Sequence, residues 1–263
     1  MQKNGPLALF FHTLVLTFVL APLVVICLVA FTPENTLSLP TTGLSLRWFT
    51  AVFAHPDFMS SFWNSIWLAT LSATLAVVLA VPAGLAISRY AFPGRDFLNA
   101  LFLSPLIIPH LVLGVAFLRL FALIGATGSF AWLVATHIIV VTPYVLRLVL
   151  AALSGLDRSA EHAARTLGAS EWTAFRRVTA PMILSGLTGG WLLAFISFDE
   201  LTMSIFVTSP ATITLPVRMY MYATESIDPM MAAVSALMIA VTAVAMLVLD
   251  RTFGLDRVLV GQR

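Results

Sequence analysis

The sequence predicts an all-α polytopic membrane protein with six transmembrane helices and both termini cytoplasmic. Three observations carry that prediction. Of 263 residues, 60% are hydrophobic and only 10% charged, whereas a soluble domain carries about 25% charged residues. The apolar residues gather into six runs, each near the ~20 residues that a helix needs to cross the hydrocarbon core. Lys and Arg then orient the runs: with the amino terminus inside, all but Arg47, Arg119 and Arg218 of the fourteen fall on the cytoplasmic side, as the positive-inside rule requires.

The first run, 8–31, follows Lys3 and exceeds the ~7–15 residues of a signal-peptide core, so it reads as a retained first helix. The external segment 32–61 carries Leu46-Arg47-Trp48-Phe49 and Phe58-Met59, whose aromatics suit an interfacial helix at headgroup level. The second run is 62–88. The third, 97–122, holds Pro105 and Pro109, each of which removes a backbone donor and clashes with the preceding turn, so a bend is expected there. The fourth, 131–153, sets His137 and Tyr144 on one helical face, the histidine reading as a packed, hydrogen-bonded residue. Arg147, near its cytoplasmic end, can snorkel to the headgroups. The fifth is 182–206 and the sixth 229–249. These elements divide the chain into 1–59 (first helix and interfacial segment), a core at 60–250 and a tail at 251–263.

Between the fourth and fifth runs lies a polar island, Asp157 to Pro181, holding seven charged residues of the chain's 26. Asp157 suits a helix N-cap, the following alanines favour a short helix, and Gly168 can take the left-handed conformation that ends it. Ser170 can cap a second helix carrying Trp172, Phe175, Arg176 and Arg177. A helix-turn-helix along the cytoplasmic surface is the result, with small residues offering a smooth face to a soluble partner.

The spacing in this island is specific. Glu161-His162-Ala163-Ala164, three residues, Gly168, nine residues, then Val178-Thr179-Ala180-Pro181 resembles the cytoplasmic EAA loop of ABC importer permeases. That pattern is Glu-Ala-Ala, three residues, Gly, nine residues, Ile-x-Leu-Pro. His162 stands where its glutamate is usual, with Glu161 just before, and Ala180 replaces leucine. Pro105 to Pro109, Thr142 to Arg147, Ser197-Phe198-Asp199-Glu200 and Leu215 to Tyr220 look like the second permease of spermidine/putrescine importers. Permeases for opines, phosphonates, ferric iron or thiamine share parts of these stretches.

The resemblance implies a type I ABC importer permease fold in a bacterial inner membrane. It implies a second permease subunit, two cytoplasmic ATP-binding subunits and an external solute-binding protein as partners. Glu161, His162, Ala163, Ala164, Gly168 and Ala169 would couple to the ATPase during alternating access. The proline bend could then be a packing kink or a bend beside the solute path.

Asp199 and Glu200 lie at membrane depth, where an ionised group costs about 3 kcal/mol or more unless paired or wetted. Both, with Tyr144, are candidates for the solute pathway, and a cation, with a polyamine foremost, is the natural partner of a carboxylate. Adjacent helical positions point about 100° apart, so only one carboxylate would face the path. The alternative is a structural hydrogen-bond network at a helix interface.

Other classes find less support. The net charge of +2 and the lack of a basic run exclude a nucleic-acid surface. No His-Glu-x-x-His, aspartate-rich or Ser/His/Asp set marks a membrane enzyme, and no Gly-x-x-x-x-Gly-Lys-Ser/Thr loop binds ATP. A receptor that recruits a partner without moving solute is the third reading. Cys27 reads as a packing residue, and neither cofactor nor resident metal is expected.

Overall fold

Apolar runs without internal water partners satisfy their backbone groups as helices, and a computed structural model describing residues 5–253 shows helices alone as regular elements among those residues. Lys3, Arg257, Arg263 and the tail beyond 253 lie outside the described residues. By contact, the chain forms one unit over 61–217 and another from residues up to 60 together with 218–247.

The second of these units contains α1 (Pro6–Val29), which opens with Pro6 at the first helical position, where its missing N–H costs nothing. The expected external segment contains a short helix, α2 (Arg47–Ala54). The Arg47 guanidinium lies 4.7 Å over the Trp48 ring and donates to the Pro33 carbonyl and the Asn35 amide oxygen. Ser38 and Thr41 hydroxyls donate to Glu34 at 2.6 and 2.9 Å and hold its carboxyl below the usual range. In the same unit Asp57 pairs with Arg218 at 3.2 Å, and Phe58 meets Tyr222 edge-on.

The larger unit is built around α6 (Phe130–Ser154), whose Val141, Val145, Leu146 and Val149 are almost wholly buried. The membrane-length α3 (Pro56–Arg89) lays Ala73, Ala76 and Ala80 against this core, and α10 (Leu184–Ala194) packs on α6 from another side. Small residues permit this closeness, as they do at membrane helix interfaces generally. A Cβ on Gly186 would sit 2.5 Å from the Ala152 Cβ, and one on Gly190 would sit 3.2 Å from Val145. The Gly186-x-x-x-Gly190 spacing is the sequence signal of this approach.

By length and composition α1, α3 and α6 can each cross a membrane, and five spans result if each of two bent pairs counts as one. The sixth expected span coincides with α13 (Met230–Phe253). The structure corrects two expected single helices. The third is broken into α4 (Arg95–Leu103), a 3-10 turn at Ser104–Leu106 and α5 (His110–Leu123), with a 101° change of direction. Pro105 and Pro109 sit at the two ends of the break, so the effect is a sharp turn rather than a kink.

The fifth also fails to run through as one helix. After α10 come a 3-10 turn at Phe195–Asp199, four non-helical residues and α11 (Ser204–Val207). The Glu200 side chain takes up backbone N–H groups there. A further helix, α12 (Leu215–Glu225), was not expected.

Candidate functional site

The island between α6 and α10 folds largely as its local signals require. Asp157 accepts the Ser159 backbone N–H at 2.9 Å and its hydroxyl at 2.8 Å, and these bonds hold the carboxyl below its ordinary range. It does so one residue before the cap position of α7 (Ser159–Thr166), which Arg158 occupies. Glu161 in the first turn and Arg165 in the last complement the helix dipole.

Gly168 ends this helix at φ +90°. Its N–H donates to Arg165 O and that of Ala169 to Ala164 O, both at 3.0 Å, which is the paired pattern of a Schellman turn. The Ser170 hydroxyl then accepts the Thr173 N–H at 3.2 Å and caps α8 (Glu171–Ala174). The chain continues through a π-helical turn, Phe175–Thr179, into α9 (Ala180–Met182), where Pro181 lacks the donor that a regular turn would use.

The two faces of the motif differ. Glu161 is buried and forms a two-pronged ion pair with Arg89 at the end of α3, both bonds 2.7 Å, with side chains 11% and 13% exposed. Such planar pairing is the strongest form of the contact. The Arg89 guanidinium also lies 3.5 Å from the Thr179 hydroxyl, so one group touches both arms of the motif. His162, Ala163 and Gly168 are exposed, and Ala164 and Ala169 are half-buried. Leu167 and Trp172 stand exposed beside them at 89% and 67%. Sequence reasoning missed Arg89 and Leu167. For Arg89 no local signal existed, because its partner is 72 residues away.

The adjacent carboxylates near the end of α10 also part company. Glu200 accepts the N–H groups of Met203 and Ser204 at 3.0 and 3.1 Å and the Ser204 hydroxyl at 3.2 Å. His110 Nδ1 lies 3.3 Å from it, and His137 Nε2 lies 3.0 Å from the Ser204 hydroxyl. Gly114 makes this possible: a Cβ there would stand 2.8 Å from Phe206 and 3.1 Å from the Met203 backbone, so only glycine lets α5 lie close to α11. Asp199 is exposed and makes no side-chain hydrogen bond or ion pair among the described residues. Tyr144 is half-buried on α6. The described residues contain no group of His, Cys, Asp and Glu able to hold a metal.

Comparison with known proteins bears on the whole arrangement. Residues 76–253, about two thirds of the chain, match a family described as binding-protein-dependent transport system inner membrane component. The spermidine/putrescine transport system permease protein PotC of Escherichia coli (strain K12) is 31% identical over 161 residues, 61% of each chain. The chain thus spans about three fifths of that relative's length. The putrescine transport system permease protein PotI of the same strain is 30% identical over 233 residues, 85% of this chain and 82% of that one. A solved bacterial ABC transporter involved in import of the acidic polysaccharide alginate superposes with a TM-score of 0.73 over 96% of this chain and 98% of its own. At 16% identity that likeness speaks of fold alone.

Proposed function

Because the chain belongs to the binding-protein-dependent transport system inner membrane components, we propose that it is one permease subunit of an ATP-driven importer. The observation that carries this reading is the helix-turn-helix at 157–181, which is anchored from behind by Arg89 and exposes His162, Ala163, Leu167 and Trp172. An exposed Leu and Trp on a charged loop suit a docking face. We assign that face to an ATPase subunit, with Gly168 setting the angle between its arms. Glu161 acts as the internal anchor of the loop.

The partners on this reading are a second permease, two cytoplasmic ATP-binding subunits and an external solute-binding protein. ATP hydrolysis resides on the ATP-binding subunits. ATP binding pushes the 157–181 element, and the helices rock between inward- and outward-facing states. Solute-stimulated ATP hydrolysis by the copurified complex tests it. A subunit that captures no ATPase, or an ATPase indifferent to solute, returns the choice to a membrane enzyme or a recruiting receptor.

Six spans with both termini cytoplasmic complete the proposal, with 60–250 as the permease core. In a variant lacking Cys27, single cysteines at the exposed positions Thr42 and Thr127 are expected to react with an impermeant reagent from outside, and one at Ser170 only from inside. External labelling at Ser170 would overturn both the orientation and the assigned face.

The solute is proposed to be a polyamine, in keeping with the names of PotC and PotI. Asp199 is the pathway carboxylate, because it is exposed while Glu200 caps α11. A carboxylate can replace part of the hydration that an ammonium loses in a narrow passage. Asp199→Asn is expected to lower uptake about tenfold or more, as loss of a charge partner worth over 1.4 kcal/mol would, with assembly intact. Glu200→Gln is expected to lower the amount of folded subunit instead. Wild-type uptake in Asp199→Asn would remove the residue from the path.

A further inference from the structure

A cavity of about 500 Å³ opens between the end of α3, the start of α4 and the end of α6, and it does not belong to the exposed face of the helix-turn-helix. Its polar wall is Ser88, Arg89, Arg95, Asn99, Ser154 and Arg158. Arg89 is neutralised by Glu161. Arg95 and Arg158 have no carboxylate within ion-pair distance among the described residues. Their sequence neighbours Asp96 and Asp157 do not line the cavity, and Asp157 is engaged with Ser159. The cavity therefore carries two uncompensated positive charges and no negative one.

The Asn99 side-chain oxygen is buried without a hydrogen-bond partner. Turned about its terminal bond, the same amide presents its N–H groups to a phosphate oxygen. The remaining wall is aliphatic, including Leu150 and Leu153. Beside it, α4 turns Phe97 and Leu101, 71% and 54% exposed, outward on one face four residues apart.

We propose that this cavity binds a phosphate group, and that the group is the headgroup of an anionic phospholipid. Guanidinium forks match phosphate oxygens, and basic pockets between membrane helices are where anionic headgroups bind. The aliphatic wall and the apolar face of α4 favour the lipid over free phosphate, which would need polar contacts on every side. The inference uses the membrane setting of the proposed function but not its solute, its ATPase or its orientation.

The test is retention of lipid by the full chain, alone or in its complex, measured by native mass spectrometry after exchange between phosphatidylglycerol and phosphatidylcholine bilayers. Wild type is expected to retain phosphatidylglycerol about thirtyfold better than phosphatidylcholine, the two arginines near the surface contributing about 1 kcal/mol each. Arg95→Gln with Arg158→Gln should abolish that preference, and Arg95→Lys with Arg158→Lys should restore most of it. Both arginines are exposed, so the glutamine variant is expected to keep its fold, which its unchanged helical circular dichroism would verify.

Displacement of phosphatidylglycerol by millimolar inorganic phosphate would assign the site to a soluble phosphate. Equal retention of both lipids, unchanged in the variants, would overturn the proposal. So would loss of a copurifying ATPase in the variants with lipid retention intact, because the cavity would then be a protein contact. Failure of solute-stimulated ATP hydrolysis would leave the lipid result standing, so the two readings fail separately.

Discussion

Gly168→Val is expected to leave the subunit in the membrane at near-normal levels while uptake falls about tenfold or more. The glycine sits at φ +90°, and a Cβ placed there would meet nothing within 4 Å. The penalty is therefore in the backbone rather than in a clash. An ordinary L residue pays about 1–2 kcal/mol in that region and a β-branched one more, enough to shift the turn's population by about a factor of ten. With the Schellman bonds lost, the exposed arm carrying Trp172 no longer holds its angle to the arm carrying His162. Asparagine tolerates the left-handed region, so Gly168→Asn should retain most of the uptake. If valine and asparagine behave alike, the turn's conformation is not what matters. If valine transports and couples as wild type, the coupling assignment fails.

The second large effect concerns the anchor. Glu161→Gln leaves the Arg89 guanidinium unpaired at 13% exposure, and Arg89→Gln leaves a carboxylate in the same state. Breaking a buried pair costs about 3–5 kcal/mol, and the residual exposure here puts the expected value near the lower end. Each single variant should free the helix-turn-helix from α3, seen as faster proteolysis within 157–181, with ATPase copurification and uptake both falling about tenfold or more.

The double variant, with neither charge, should recover part of the loss, because the two effects share one contact and are non-additive. A different pattern would be just as informative. If Glu161→Gln alone abolished ATPase binding and Arg89→Gln did not, the glutamate would be reaching the partner directly, as the resemblance to the EAA loop implies.

The sequence by itself determined the helical class, the limits of the unbroken helix at Phe130–Ser154 and the turn of the polar island, because each depends on groups within a few residues of one another. The run from Phe130 to Ser154 must be a helix in lipid, Ser170 caps because Thr173 follows at the right spacing, and Gly168 turns because it lacks a Cβ. Only the tertiary structure decided which charges are satisfied. Asp199 and Glu200 are equivalent on paper; the approach of α5 to α11, allowed by Gly114, makes one a buried cap beside His110 and leaves the other open. Likewise Glu161 reads as a surface residue of a polar loop until the end of α3 brings Arg89 to it. A buried charge requires a partner, and which partner it finds depends on where distant helices pass, a matter that local propensity does not encode.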